Sequence, residues 1–238
     1  MIPSCLLAPE VCAGELLGPH FGSIAPVTYR LGSPGRNPKH PYFHQLIPDN
    51  SWSVLGGNDT AGRRFEEMWQ AVQMVARFSN DQTAIALLPF DQPSVGTVPP
   101  GRLDNRQHLR RLRANLRIPP DSVGSSELGP ALTLAEHYAS TTGAKKTLTV
   151  VTDFELADDD PSGIYQRLQD FPGQVFAVVL GTAAPPALVG DNIAVLEIGP
   201  DSPPGMLATA VWNSFTTGRP GRRQGSIELD IRRTTAVA

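Results

Sequence analysis

The sequence predicts an α/β protein, a doubly wound, mostly parallel six-stranded sheet with one short antiparallel edge strand and helices on both faces. Three observations point there. Apolar runs such as residues 83–88 and 174–180 leave no polar face, which suits strands covered on both sides. Segments of helical period alternate with these runs, the order in which parallel strands are joined by crossover helices. At 238 residues, with 40% hydrophobic and 18% charged residues, the chain has room for one substantial core.

Residues 1–40 are rich in Gly, Pro and Ser and read as an N-terminal arm, with a turn or linker at 32–38 and a short strand at 27–31. A domain is expected over 41–217. Its first central strand is residues 42–47, where His44 reads as a hydrogen-bonded core or rim histidine. The clearest helix is 63–78, since Phe65, Met68, Trp69, Val72, Val75 and Ala76 recur on one stripe. After the strand at 83–88, residues 95–98 followed by Pro99-Pro100-Gly101 read as the edge strand, where proline is tolerated.

Asp104 is the expected cap of a helix running to about residue 116, with Leu109, Leu112 and Leu116 on its inner face. Arg106, Arg110, Arg111, Arg113 and Arg117 on the other side read as a solvated helix face. Helices at 128–138, 162–171 and 203–215 then alternate with strands at 147–152, 174–180 and 193–198. A tail spans 218–238, and 226–231 within it offers one more strand.

A net charge of −3 supplies no overall basic field, so nucleic acid is not an expected partner. Cys5 and Cys12 are the two cysteines, too few for a disulfide framework. Residues 1–17 lack the basic start of a signal peptide, and no stretch approaches the roughly 20 apolar residues of a membrane span. A cytoplasmic protein without a membrane partner is expected.

In sheets of this kind ligands bind beyond the carboxyl ends of the strands. Three loops there carry oxygen donors. Asp49-Asn50-Ser51-Trp52-Ser53 spaces one carboxylate and two hydroxyls on alternate residues, so that Asp49, Ser51 and Ser53 can face one point. Gly124-Ser125-Ser126-Glu127-Leu128-Gly129 brings the Ser126 hydroxyl to the start of a helix. Val150-Val151-Thr152-Asp153 ends a buried strand on an aspartate. Hard oxygen donors in that number suit a magnesium-like cation, which retains several waters. The acidic run Glu155, Asp158, Asp159 and Asp160 reads as a solvated loop capping the next helix. No Gly-x-Ser-x-Gly elbow and no Walker A sequence occurs. Nor do His20, His40, His44, His108 and His137 have metal-ligand spacing. Catalysis is therefore not expected, and a metal-dependent hydrolase ranks below the binding readings.

On these three motifs, in this order, residues 41–217 resemble the von Willebrand factor A (integrin I-like) domain, a Rossmann-like fold. That family's metal-ion-dependent adhesion site combines Asp-x-Ser-x-Ser, a threonine on a central loop and an aspartate ending the fourth strand. The resemblance implies metal ligation by Asp49, Ser51, Ser53, Ser126 (serine for the usual threonine) and Asp153. It implies magnesium, with manganese or calcium as substitutes, and a partner protein that presents an Asp or Glu to the metal. It further implies an adaptor subunit in an intracellular bacterial complex, of the kind found beside AAA+ ATPases. The alternative is a structural subunit docking through its termini. Two departures stand beside the motifs: Pro48 precedes Asp49, and Phe154 replaces the customary glycine after Asp153, where it would crowd the metal face.

Overall fold

The structure, a computed structural model, describes residues 29–51, 64–90, 96–117, 124–224 and 232–233. In chain order its elements are β1 (Gly32–Ser33), β2 (Tyr42–Pro48), α1 (Arg64–Arg77), β3 (Thr83–Leu87), β4 (Val98–Arg102), α2 (Arg106–Asn115) and α3 (Gly129–Ser140). Then come β5 (Lys145–Thr152), α4 (Pro161–Gln169), β6 (Gln174–Leu180), β7 (Ile193–Ile198), α5 (Met206–Thr216), β8 (Arg223–Gln224) and β9 (Arg232–Arg233). The main sheet runs β4-β3-β2-β5-β6-β7-β9, and β1 pairs with β8 in a two-stranded ribbon. The five strands from β3 to β7 in that order are parallel, while β4 and β9 are antiparallel to their neighbours. The six expected strands are present, and the two-residue β9 adds a second antiparallel edge.

Strand side chains alternate between two cores, as the pleat requires. Leu46, Val151, Val178 and Leu196 pack on one face with α1, α2 and α5. Phe43, Ile47, Leu148, Val150 and Val195 pack on the other with α3 and α4. The stripe read in α1 is the buried one: Met68, Trp69, Val72 and Val75 are in the core, with Phe65 and Ala76 packed against it. α5 is buried along its length from Leu207 to Thr216, a helix covered on all sides by α1, the sheet and the chain at Tyr29 and Leu31. Its start requires a glycine. Gly205 has φ 90°, and a Cβ there would lie 2.3 Å from the Tyr29 ring.

Several expectations are corrected. The edge strand is displaced towards the prolines, since β4 includes Pro99, Pro100 and Gly101. Both prolines are exposed on the sheet edge, where a missing N–H costs no ladder bond. Asn105, not Asp104, caps α2, accepting from the N–H groups of Gln107 and His108. Asp104 instead takes a bidentate bond from Arg102. His44 is a core residue, but among the described residues neither ring nitrogen has a hydrogen-bond partner. The short strand near Leu31 lies at Gly32–Ser33. Residues 27–28 and 226–231 lie outside the described residues. The described parts of both ends fold onto the domain, with Gly32 and Ser33 paired to Gln224 and Arg223 and Arg36 N–H donating to Pro220 O.

Candidate metal centre

β2 and β5 are neighbours in register, Pro48 opposite Val151, and β2 is where the strand order reverses. β3 lies on one side of β2 and β5 on the other, so the loops leaving β2 and β5 part around a crevice at the carboxyl edge. That is the usual ligand position of a doubly wound sheet. Pro48 does not disturb this ending. Its carbonyl accepts from Phe90 N–H at 3.1 Å, and Asp49 N–H continues the ladder to Val151 O at 2.9 Å.

Asp49 is 2% exposed. One carboxylate oxygen accepts from Ser51 N–H at 2.6 Å, folding the motif into a tight turn. The other accepts from the Thr152 hydroxyl at 2.5 Å, across the two strands. Asp153 follows directly and is also buried. One of its carboxylate oxygens accepts from Glu155 N–H at 3.0 Å, and its carbonyl accepts from the Thr182 hydroxyl at 3.0 Å. Burial pushes the Asp49 carboxyl above the usual carboxylate range, against the lowering effect of hydrogen bonds from Thr152 and Ser51. The neighbouring Asp153 charge raises it further. No ion pair to either carboxylate occurs among the described residues.

The structure thus brings Asp49, Ser51 and Asp153 together. Ser126 reaches the same end of the sheet on its own loop, where its carbonyl accepts from Ala157 N–H at 3.1 Å, four residues beyond Asp153. Ser53 lies outside the described residues. Thr152 was not singled out from the sequence, although a hydroxyl directly before a strand-ending aspartate is a readable signal. The sequence places Asp158 in a solvated acidic loop capping the next helix. In fact it accepts from Leu128 N–H at 2.9 Å and Gly129 N–H at 2.7 Å at the start of α3. Asp160 does cap α4, by accepting from Gly163 N–H at 2.9 Å.

Phe154 is the one non-glycine residue with positive φ among the described residues, at 59°. This is the conformation for which a glycine is the ordinary choice. Its ring does not crowd the site. It is 4% exposed, packs in the core beside α3 and α4, and stacks on Tyr165 with centroids 6.5 Å apart.

The donor set fits a hard divalent cation. Two buried carboxylates lie close together, the Asp153 charge acting on Asp49, and hydroxyl groups accompany them. A cation would relieve that repulsion. No cluster of three or more His, Cys, Asp or Glu side chains placed for a metal occurs among the described residues, so the donors on offer are two carboxylates and neutral hydroxyls.

No family model matches the chain, and no curated protein matches it by sequence. Solved structures do match. The pilus adhesin SpaC from Lactobacillus rhamnosus GG aligns at TM-score 0.56 and 14% identity, over 76% of this chain and 31% of that one. A von Willebrand factor type A protein from Catenulispora acidiphila aligns at TM-score 0.53 and 17% identity, over 74% and 42%. Proximal thread matrix protein 1 from the mussel byssus aligns at TM-score 0.51 and 13% identity, over 79% and 47%. The chain spans between about a third and a half of the length of these three structures. Among the described residues no helix is long and apolar enough to cross a membrane. With its sheet order, its two helical layers and these structural likenesses, the chain has the fold of a von Willebrand factor A domain.

Proposed function

We propose that this protein is a metal-dependent protein-interaction module, in which a divalent cation at the carboxyl ends of β2 and β5 takes an Asp or Glu side chain from a partner protein. The observation that carries this reading is the pair of buried carboxylates, Asp49 and Asp153, on adjacent strand ends with no ion pair among the described residues. In this reading Asp49, Ser51, Ser53, Ser126 and Asp153 hold magnesium, with manganese or calcium as substitutes. The cation, when bound, supplies a Lewis-acidic site for a carboxylate oxygen. Hydroxyl ligands are neutral and two carboxylates only just balance a divalent charge, so a water-filled coordination position remains that a partner carboxylate can take.

We place the protein in a reducing, cytoplasmic compartment because its composition includes only two cysteines. There we assign it the role of an adaptor in a bacterial complex, with an AAA+ ATPase system as the kind of assembly that would use it, and no catalytic activity. Docking through the termini is less favoured, because the described parts of both ends are engaged within the molecule.

The test is calorimetric titration of metal-stripped protein with magnesium and manganese, beside the Asp49→Ala/Asp153→Ala double variant. One ion bound by the wild type and none by the variant is expected. A silent wild type, or a variant that binds equally well, overturns the assignment.

A further inference from the structure

Helix α3 begins without a cap of its own. Its N-cap position is Leu128, which has helical φ and ψ and no side chain able to accept a hydrogen bond. The first turn of any helix leaves N–H groups unsatisfied and concentrates positive potential there. Here the Asp158 carboxylate answers both needs from another loop. One oxygen accepts from Leu128 N–H and the other from Gly129 N–H, across 30 and 29 residues of sequence. Ala157 N–H adds a third tie, to Ser126 O. These bonds join residues 126–129, which carry one proposed ligand, to residues 157–158, on the loop that carries another.

The fit depends on the absence of a side chain at position 129. A Cβ on Gly129 would lie 2.7 Å from the Asp158 carboxylate oxygen. The other end of the second loop is independently fixed, since Glu155 N–H holds the Asp153 carboxylate and Thr182 holds its carbonyl. Asp160, in the same acidic run, differs in kind. Among the described residues it caps its own helix alone, through Gly163 N–H.

We propose that Asp158 is a positioning residue of the cation site: its two-pronged bond to the start of α3 sets the placement of Ser126 relative to Asp153, and so sets the affinity of the site for its ion. This rests on the cation reading given above. A charge-assisted pair of bonds at a helix start is strong and directional, which is what holding a ligand from one loop against a ligand from another requires.

The experiment is calorimetric titration of the metal-stripped full chain with magnesium and with manganese, using wild type, Asp158→Asn, Gly129→Ala, Asp160→Asn and the Asp49→Ala/Asp153→Ala variant. Asp158→Asn is expected to weaken binding about tenfold or more, the usual cost of losing a group that orients a ligand. Gly129→Ala is the discriminating variant. The alanine Cβ displaces the Asp158 carboxylate from the helix start, so a purely structural role for the bond predicts a less stable α3 and unchanged binding. A positioning role predicts weaker binding, as in Asp158→Asn. Asp160→Asn is expected to retain wild-type affinity. If Asp158→Asn does not fold, Gly129→Ala alone decides. Wild-type affinity in Asp158→Asn and Gly129→Ala, alongside a silent Asp49→Ala/Asp153→Ala, overturns the positioning role and leaves the cation site standing. A wild type that takes up no ion overturns both, a pattern distinct from the first. An equal loss in Asp160→Asn also overturns the proposal, since it would make the effect general to the loop.

Discussion

His44 sits in the central strand, 1% exposed, with its ring 4.8 Å from that of Phe215 and no hydrogen bond to either nitrogen among the described residues. Burial, followed by the nearby Arg219 charge, pushes its pKa down to about 3. The imidazole is therefore neutral in the fold, while in the unfolded chain it titrates near the ordinary value of about 6.5. A base with a depressed folded pKa contributes fully above its unfolded value, and its contribution is lost as the pH falls. Between about pH 6.5 and 3 this one group should remove stability at up to about 1.4 kcal/mol per pH unit. Urea unfolding of wild type and His44→Leu from pH 7 to pH 4 checks this. The wild-type curve is expected to fall more steeply, and parallel curves would show that burial does not hold His44 neutral. Phe154 makes a related point about direction. Its position in the sequence set it beside the metal, but only its positive φ and the Tyr165 stack show that the ring turns into the core.

Between elements, the buried Glu67 carries a connection that no local pattern announces. From α1 it accepts Gly205 N–H at 2.9 Å and Ala208 N–H at 3.1 Å, so one helix caps the start of another. Glu67→Gln leaves one acceptor oxygen for two donors in a buried place. A loss of about 1–3 kcal/mol is expected, the cost of an unsatisfied buried group, measurable as a lower urea midpoint. An unchanged midpoint would mean that water reaches the start of α5. The same distinction explains what could be read in advance. β6 and β7 are legible to their ends because β6 is an apolar run after Gln174 and β7 an apolar run broken by Glu197 alone, each bounded by turn residues. Asp49, Ser51 and Asp153 were legible because short motifs place them at strand ends. Thr152, Asp158 and Glu67 were not, since the groups they bond lie about 100, 30 and 140 residues away in sequence. The starts of α3 and α5 slipped for the same reason, being held by carboxylates from other elements, whereas α2 slipped locally, because Arg102 draws Asp104 away and the adjacent Asn105 takes the cap.

For the whole molecule, the proposed cation and the proton compete for one carboxylate, and the competition ties metal binding to folding. Without metal, Asp49 has a folded pKa above its unfolded value. An acid shifted that way favours the folded state when protonated. The metal-free protein therefore gains stability from this group as the pH falls from the raised folded value towards about 3.9, the ordinary aspartate value. With metal bound the sign reverses, because the ion needs the carboxylate unprotonated. Stability measured with and without magnesium should accordingly differ most near neutral pH and converge as the pH falls through the Asp49 titration. At 100 times its dissociation constant, the ion would add about 2.7 kcal/mol near pH 7. Taking the difference between the two curves removes His44, whose titration is common to both. The Asp49→Ala/Asp153→Ala variant should show no difference at any pH. A magnesium effect that stays constant from pH 7 down to pH 4 would mean that the ion binds without displacing a proton from Asp49, and the site would have to be sought elsewhere on the molecule.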